Sequence, residues 1–96
     1  MTRAETLEAA AKCVCGDREQ DYGSPEKSFD VIAELWVAYL RGCGVNIDYL
    51  EGHDVAAMLA LLKIARIASG HAKEDNWIDL AGYAACGCEI ETEADA

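Results

Sequence analysis

The sequence has little of what breaks helices or builds sheets. It contains one proline in 96 residues, aromatic residues make up 7% of the chain, and β-branched residues form no long alternating run. Hydrophobic residues still account for 52% of the chain, which is enough apolar surface for a core. Because strands favour β-branched and aromatic residues while helix interiors exclude proline, the composition predicts an all-α fold.

Positive charge is also scarce. Eight Lys and Arg residues stand against 18 Asp and Glu residues, so the formal net charge is −10. A field of this sign repels the phosphates of nucleic acids and anionic membrane surfaces. We therefore expect neither a nucleic acid polymer nor a membrane as a partner.

Long apolar runs are missing as well. The longest, VAAMLALL at 55–62, is too short to cross a bilayer. Glu5 and Glu8 lie where a signal peptide would carry an apolar segment. We therefore expect the protein in the cytoplasm.

The chain has five cysteines but no C-x₂-C motif of the kind typical of structural zinc sites. An odd number of cysteines in a cytoplasmic chain argues against a disulfide framework. Cys13 and Cys15, like Cys86 and Cys88, are separated by one residue, and on a helix such side chains point about 200° apart. We expect reduced cysteines and no bound cofactor.

Cap and stop signals divide the chain into four helical segments. Thr2 and Glu5 have the spacing of a capping box, Ser24 followed by Pro25 is a typical helix start, and Asp54 is a candidate N-cap. The predicted helices are 2–15, 25–41, 54–69 and 75–91, followed by a frayed acidic tail at 92–96. They predict one domain over residues 1–96, a small four-helix bundle.

The third predicted helix is apolar on nearly all sides. Twelve of the sixteen residues from 54 to 69 are apolar, so this helix either lies at the centre of the bundle or also faces a partner subunit. The short connection to the helix at 75–91 predicts that these two helices are antiparallel neighbours. A chain of this length buries a thin core, and we therefore expect a homo-oligomer.

Polar residues interrupt the last two predicted helices at helical spacing. Arg66 follows Lys63 by three positions on one helix. On the next helix Asp75, Asp79 and Tyr83 recur at intervals of four positions. If the helices pack antiparallel, these two stripes face each other. Two interpretations remain open, an internal ion-pair network that sets the helix register and a pocket whose cations hold phosphate while its carboxylates hold ribose.

Two further sets of residues are candidates for a site. Arg18 and Tyr22 lie beside a glycine turn and can clamp a phosphate or a base. Asp30 and Glu34 form an acidic stripe on the second helix, which is either a solvated face or half of a site for Mg²⁺. In the second case Asp75 and Asp79 supply the other carboxylates.

The chain resembles a family of small phage and prophage proteins without an assigned activity. The resemblance covers about residues 15 to 90 and is carried by four pieces of sequence, Asp21-Tyr22-Gly23, Leu35-Trp36, Lys63-Ile64-Ala65-Arg66 and Asp79-Leu80-Ala81-Gly82-Tyr83-Ala84. It implies a phage origin and action inside the infected bacterial cell, without implying a reaction.

A more distant similarity is to the all-α nucleotide pyrophosphatases of the MazG and dimeric dUTPase group. Those proteins hold Mg²⁺ with an ExxE pair on one helix and an ExxD pair on the next. Here the candidate pairs, Asp30 with Glu34 and Asp75 with Asp79, are spaced by four, and the only ExxE joins Glu5 to Glu8 on the first helix. This departure weakens the case for hydrolysis and leaves a nucleotide pocket in place.

Three functions follow from these observations. The first is a non-enzymatic phage oligomer that binds a nucleotide-derived small molecule and sequesters a host immune signal, by functional analogy with phage anti-defence sponges. Its ligand-binding residues are Arg18, Tyr22, Lys63, Arg66, Asp75, Asp79 and Tyr83. The second is a Mg²⁺-dependent pyrophosphatase with Asp30, Glu34, Asp75 and Asp79 as metal ligands. The third is a structural or protein-interaction oligomer.

Overall fold

The protein consists of four α-helices in the computed structural model, which describes residues 1–16, 25–70 and 73–94. The helices are α1 (Arg3–Cys15), α2 (Pro25–Gly42), α3 (Gly52–Ala68) and α4 (Glu74–Ala94). The described residues contain no strand. The predicted all-α fold is therefore confirmed. No helix within the described part of the chain is long and apolar enough to span a bilayer.

The first helix begins where its cap residues predict. The Thr2 hydroxyl accepts from the Glu5 N–H at 3.1 Å, and the Glu5 carboxylate accepts from the Thr2 N–H at 3.0 Å. These reciprocal bonds satisfy two of the N–H groups that a helix start leaves without partners. Hydrogen bonds from Thr2 hold the pKa of Glu5 below its ordinary value. The capping box predicted from the sequence is confirmed.

The third helix starts two residues earlier than predicted. Asp54 is not the N-cap. The N-cap is Glu51, and the Asp54 carboxylate reaches back to accept from the Glu51 N–H at 2.9 Å. The helix ends at Ala68, and Gly70 follows with a φ of +86°, a conformation that glycine adopts without a steric cost.

The fourth helix runs past its predicted end at residue 91 to Ala94. The predicted frayed tail is therefore helical as far as it is described. No glycine or proline follows Gly87, so the sequence has no stop signal there. Buried Ile90 anchors the last turns, and the Thr92 hydroxyl donates to the Cys88 carbonyl at 2.7 Å.

Helices α3 and α4 form an antiparallel pair with a constant register. Gly52 lies against Ile90, Ala56 lies against Gly87, and Lys63 pairs with Asp79. As the residue number rises along α3, the number of its partner falls along α4. The predicted antiparallel arrangement is confirmed.

The fourth helix, and not the third, is central to the bundle. Helix α4 packs against α1, α2 and α3, whereas α2 packs mainly against α3. The nearly all-apolar helix α3 buries one side and leaves the other side exposed. The first of the two sequence interpretations, α3 as the bundle centre, is wrong, because α1 and α2 do not close over its outer side.

The core is thin and built from small side chains. Its buried apolar residues within the described chain are Ala10, Ala33, Val55, Ala56, Cys86 and Ile90, and Val55 is the largest side chain that is fully buried. None of the five cysteines forms a disulfide, and Cys86 is the one that is buried. Cys86 is therefore the cysteine that belongs to the core, and the other four thiols are exposed.

Candidate functional site

The α3–α4 pair brings the predicted cation and acid stripes together. The Lys63 ammonium lies 2.8 Å from the Asp79 carboxylate, within hydrogen-bonding distance for a charged pair. Lys63 and Asp79 meet because the antiparallel register already seen at Gly52 and Gly87 continues along the two helices. We call the line between α3 and α4 that contains this pair the α3–α4 seam.

The two partners differ sharply in their contact with water. The Lys63 side chain is 8% exposed, whereas the Asp79 side chain is 34% exposed. A buried ammonium needs a charged or strongly polar partner, and Asp79 provides it. A third of the Asp79 side chain is still exposed to solvent, so a polar ligand can reach it.

Arg66 and Tyr83 lie on the seam to either side of this pair. Arg66 is exposed, is three residues after Lys63, and forms no ion pair within the described residues. Tyr83 is half-buried and is one turn after Asp79 on the side of α4 that meets α3. Asp75 is exposed in the first turn of α4, which the antiparallel register places across from Arg66.

Asn76 is a polar residue that the sequence analysis did not select. It is 5% exposed although it lies in the first turn of α4. The sequence feature that could have identified Asn76 is its position three residues before Asp79, which puts both side chains on one face of the helix. Asn76 therefore belongs to the polar lining of the seam.

Two predicted site residues cannot be placed on the seam. Arg18 and Tyr22 lie in residues 17–24, outside the described part of the chain. An open groove of about 680 Å³ runs along α1 and reaches Gly16, but none of the predicted site residues that the structure describes lines it.

The four proposed metal ligands are not gathered around one point. Asp30 and Glu34 are exposed on α2, and the Asp30 carboxylate lies near Gly52 and Ile90. Asp79 is eleven residues before Ile90, about 16 Å away along α4. Among the residues that the structure describes, no three His, Cys, Asp or Glu side chains converge closely enough to hold a metal ion.

Acidic groups also surround the start of α3. The two ring nitrogens of His53 lie 3.2 Å from the Glu51 carboxylate and 3.7 Å from the Asp54 carboxylate. These acids already serve the cap of α3. The cluster therefore has a local structural role at the helix start.

The comparisons with known proteins assign the chain to a family. A family model described as a domain of unknown function, DUF6378, matches residues 5–91. The chain belongs to the DUF6378 family. The matched residues of this DUF6378 protein include all four helices almost in full.

Two relatives of the DUF6378 chain come from mycobacteriophages, and each is named Gene 55 protein. The protein of Mycobacterium phage L5 is 41% identical over 78 residues, which cover 81% of this chain and 47% of the relative. That of Mycobacterium phage D29 is 36% identical over 80 residues, which cover 83% of this chain and 49% of the relative. The chain thus spans about half the length of these curated relatives.

These matches confirm the resemblance to a phage protein family without an assigned activity. No solved structure matches the DUF6378 chain. The similarity to MazG-type pyrophosphatases stays a prediction.

Proposed function

We propose that this phage protein binds a nucleotide-derived small molecule at the α3–α4 seam without hydrolysing it. The observation that supports the proposal is the grouping of Lys63 and Arg66 beside the half-exposed Asp79 and Tyr83 in a molecule of net charge −10. Arg66 is an exposed cation on an otherwise acidic protein and offers a local site for an anion, while Lys63 is engaged by Asp79.

Each seam residue has a role that its exposure allows. Arg66 is free to bind a phosphate through two parallel hydrogen bonds. Lys63 holds Asp79 in position, and the outer oxygen of Asp79 accepts from a ribose hydroxyl or a base amine. Tyr83 offers a ring for stacking, and Asp75 accepts a further hydrogen bond at the other end of the seam.

Arg18 and Tyr22 complete the proposed ligand-binding set. We propose that Arg18 contacts the phosphate and that Tyr22 stacks on the base. In an infected cell such a protein acts as a sponge, lowering the free concentration of a nucleotide that signals infection to the host.

A Mg²⁺-dependent pyrophosphatase is the enzymatic alternative. It requires Asp30, Glu34, Asp75 and Asp79 to hold metal that activates a water molecule. The separation of Asp30 from Asp79 gives this alternative less support than ligand binding. The experiment below still distinguishes them, because hydrolysis consumes the ligand.

A structural or protein-interaction role is the second candidate. The observation that favours it is that Asp79 already compensates the buried charge of Lys63 at 2.8 Å. In this case the pair fixes the helix register and no ligand enters the seam. Buried polar pairs have this role in some proteins.

A thermal-shift screen tests the proposal directly. The purified protein is heated with mononucleotides, dinucleotides, cyclic oligonucleotides and ADP-ribose derivatives, each with and without Mg²⁺. A ligand at about 100 times its Kd adds roughly 2.7 kcal/mol to the free energy of unfolding, which raises Tm by several degrees for a domain of this size. Chromatography then shows whether the ligand is recovered intact.

The matched variants are Arg66→Ala and Arg3→Ala, because each removes an exposed arginine from a helix. We expect Arg66→Ala to lose the ligand-induced shift and Arg3→Ala to keep it. A shift that needs Mg²⁺ and yields product would favour the pyrophosphatase. If no compound raises Tm, the interaction role is favoured. If a compound raises the Tm of both variants equally, the ligand does not bind at the α3–α4 seam.

A further inference from the structure

Helix α3 carries an exposed apolar surface on the side turned away from α4. Its large side chains are Met58, Leu61, Leu62 and Ile64, each more than 40% exposed. We call these four residues the α3 outer face. Leu61, near its middle, is 62% exposed.

The outer face is a continuous part of the helix surface and not a set of scattered residues. The buried residues of α3 recur on one side at helical spacing and are Gly52, Val55, Ala56 and Lys63. Met58 and Leu61 lie on the opposite side, together with exposed Ala57, Ala65 and Ala68. A helix that is apolar on both sides is expected to be covered on both sides.

The neighbouring helix α2 repeats the pattern. Val31, Leu35 and Tyr39 follow one another at intervals of four residues and are all more than half exposed. They lie on the side of α2 opposite to buried Ala33. Two adjacent helices thus each leave an apolar stripe that no described part of the protomer covers.

The exposed area of the protomer is large enough for a stable interface. A compact monomer of 10.4 kDa has an accessible surface of about 5,400 Å², whereas this chain exposes 6843 Å². The difference of roughly 1,400 Å², summed over the whole chain, is of the same order as the area of about 800 Å² that each partner buries in a standard interface. The radius of gyration, 14.5 Å, is likewise above the value of about 12.5 Å for a compact chain of this length.

The distribution of charge indicates which partner can cover the α3 outer face. Two copies of a protein with net charge −10 repel each other. The stretch from Val55 to Ala68 contains no acidic residue and carries two cations, Lys63 and Arg66. Contact through α3 therefore keeps the acids of both copies away from the interface.

We propose that a second copy of this chain covers the α3 outer face and forms a two-fold symmetric dimer. In such a dimer the same surface is used twice, so α3 of one protomer packs on α3 of its partner. Met58, Leu61, Leu62 and Ile64 then enlarge a core whose largest fully buried side chain is Val55. Dimerisation through this face does not depend on ligand binding at the α3–α4 seam.

Sedimentation equilibrium of the wild-type protein at micromolar concentration is the first test. A dimer has twice the protomer mass of 10.4 kDa, and its Tm rises with protein concentration because association stabilises the folded state. A wild-type protein that sediments as a monomer at every concentration would overturn the proposal. The face would then be a docking site for a different partner.

Leu61→Glu and Leu7→Glu form a matched pair of variants. Both replace an exposed leucine within a helix, at 62% and 64% exposure, by the same charged residue, but Leu7 lies on α1. We expect Leu61→Glu to sediment as a monomer and Leu7→Glu as a dimer. A dimeric Leu61→Glu protein, or dissociation of both variants alike, would place the interface elsewhere.

Circular dichroism shows whether Leu61→Glu folds. If it does not, the milder variant Leu61→Ala is used in its place. Since each dimer contains two copies of the substituted side chain, Leu61→Ala should raise the dimer Kd at least about tenfold. Leu7→Ala should leave the Kd unchanged. An unchanged Kd in Leu61→Ala would contradict the proposed interface.

Discussion

Lys63 and Asp79 form an ion pair whose two members differ in burial, and this difference determines how much the loss of either one destabilises the fold. Lys63 is almost fully buried, whereas a third of the Asp79 side chain meets water. Removing one partner of a buried pair leaves the other charge without compensation. The cost depends on how much water reaches the charge that remains, so the two single deletions should differ.

Asp79→Ala is expected to destabilise the protein more than Lys63→Met. The first leaves a buried ammonium alone and should lower the free energy of unfolding by about 3–5 kcal/mol. The second leaves a carboxylate that is 34% exposed and should cost only about 1–2 kcal/mol. Urea denaturation at one fixed protein concentration measures both values.

The double variant Lys63→Met with Asp79→Leu serves as the control. It removes both charges and replaces them with apolar side chains, which in other buried pairs is neutral or stabilising. We expect its stability to lie within about 1 kcal/mol of the wild type. If the two single variants lose equal stability, burial does not govern the energetics of this pair.

The meeting of Lys63 with Asp79 was predictable from spacing, but the difference between Lys63 and Arg66 was not. Both cations lie on one face of α3, three residues apart. Which one is buried depends on a rotation of about 60° around the helix axis, and packing against α4 sets that rotation. For the same reason the pattern did not identify Asn76, whose burial depends on how the first turn of α4 is covered.

The cap of α1 makes a pH-dependent prediction. Hydrogen bonds from the backbone and then the side chain of Thr2 lower the pKa of Glu5. A carboxyl whose folded-state pKa is lowered stabilises the fold above its unfolded pKa and loses this effect as pH falls through the folded pKa. Acidification below the ordinary carboxyl range should therefore loosen the first turn of α1.

The variant Thr2→Ala removes the side-chain bond and keeps the backbone bond. We expect the pKa of Glu5 to rise toward its ordinary value, as followed by NMR titration of its side-chain carboxyl. Thr6→Ala is the matched control, because the Thr6 hydroxyl donates to the Thr2 carbonyl and does not contact Glu5. An unchanged Glu5 titration in Thr2→Ala would show that the hydroxyl has no electrostatic effect on the carboxylate.

At the scale of the helices, local chemistry predicted the starts of α1 and α2 but neither the start of α3 nor the end of α4. Thr2 and Pro25 mark two starts correctly, because a cap side chain and a fixed φ act within one turn. The start of α3 was misplaced because Asp54 suits both the N-cap and the third helical position. The end of α4 was misplaced because Ile90, a tertiary anchor, keeps its last turns helical.

Two glycines inside α4 mark its closest contacts with other helices. A Cβ atom at Gly82 would lie 3.1 Å from the Val14 Cγ1 atom of α1, and one at Gly87 would lie 3.1 Å from the Ala56 Cβ atom of α3. Glycine in a helix interior costs about 1 kcal/mol relative to alanine. The close approach to α1 and α3 is a packing reason for both residues.

Gly82→Ala and Gly87→Ala should change stability in opposite directions. The half-buried Val14 side chain can turn away, so Gly82→Ala should raise the free energy of unfolding by up to about 1 kcal/mol. The Ala56 Cβ atom is attached directly to the backbone of a buried residue, so Gly87→Ala requires α3 to move and should lower it by about 1–3 kcal/mol. Thermal and urea denaturation of the two variants provide the comparison.

These substitutions control for each other, because they place the same methyl group in the same helix. Equal changes in stability would mean that helix propensity outweighs the contacts with α1 and α3. A destabilised Gly82→Ala variant would mean that Val14 is as constrained as Ala56.

At the scale of the whole molecule, the protomer is an open arrangement with α4 at its centre. The composition predicted the helices, and the apolar sequence of α3 was compatible with either a central helix or a subunit interface. Sequence periodicity cannot choose between these, because both need apolar residues on all sides. In the described residues neither α1 nor α2 covers the outer side of α3, so burial of that side requires the second copy proposed above.

Added salt should strengthen the proposed dimer, whereas it would weaken an interface built from charge pairs. Each protomer carries a net charge of −10, so screening weakens the repulsion between copies while the apolar contact across α3 persists. The Debye length falls from about 10 Å at 0.1 M salt to about 3 Å at 1 M. We therefore expect the dimer Kd to fall as sodium chloride is raised across this range, measured by sedimentation equilibrium. The Leu7→Glu variant should remain a dimer throughout this range, and its Kd, raised slightly by one more negative charge per protomer, should fall more steeply with salt. A Kd that rises with salt would instead indicate that cations such as Arg66 hold the copies together through ion pairs.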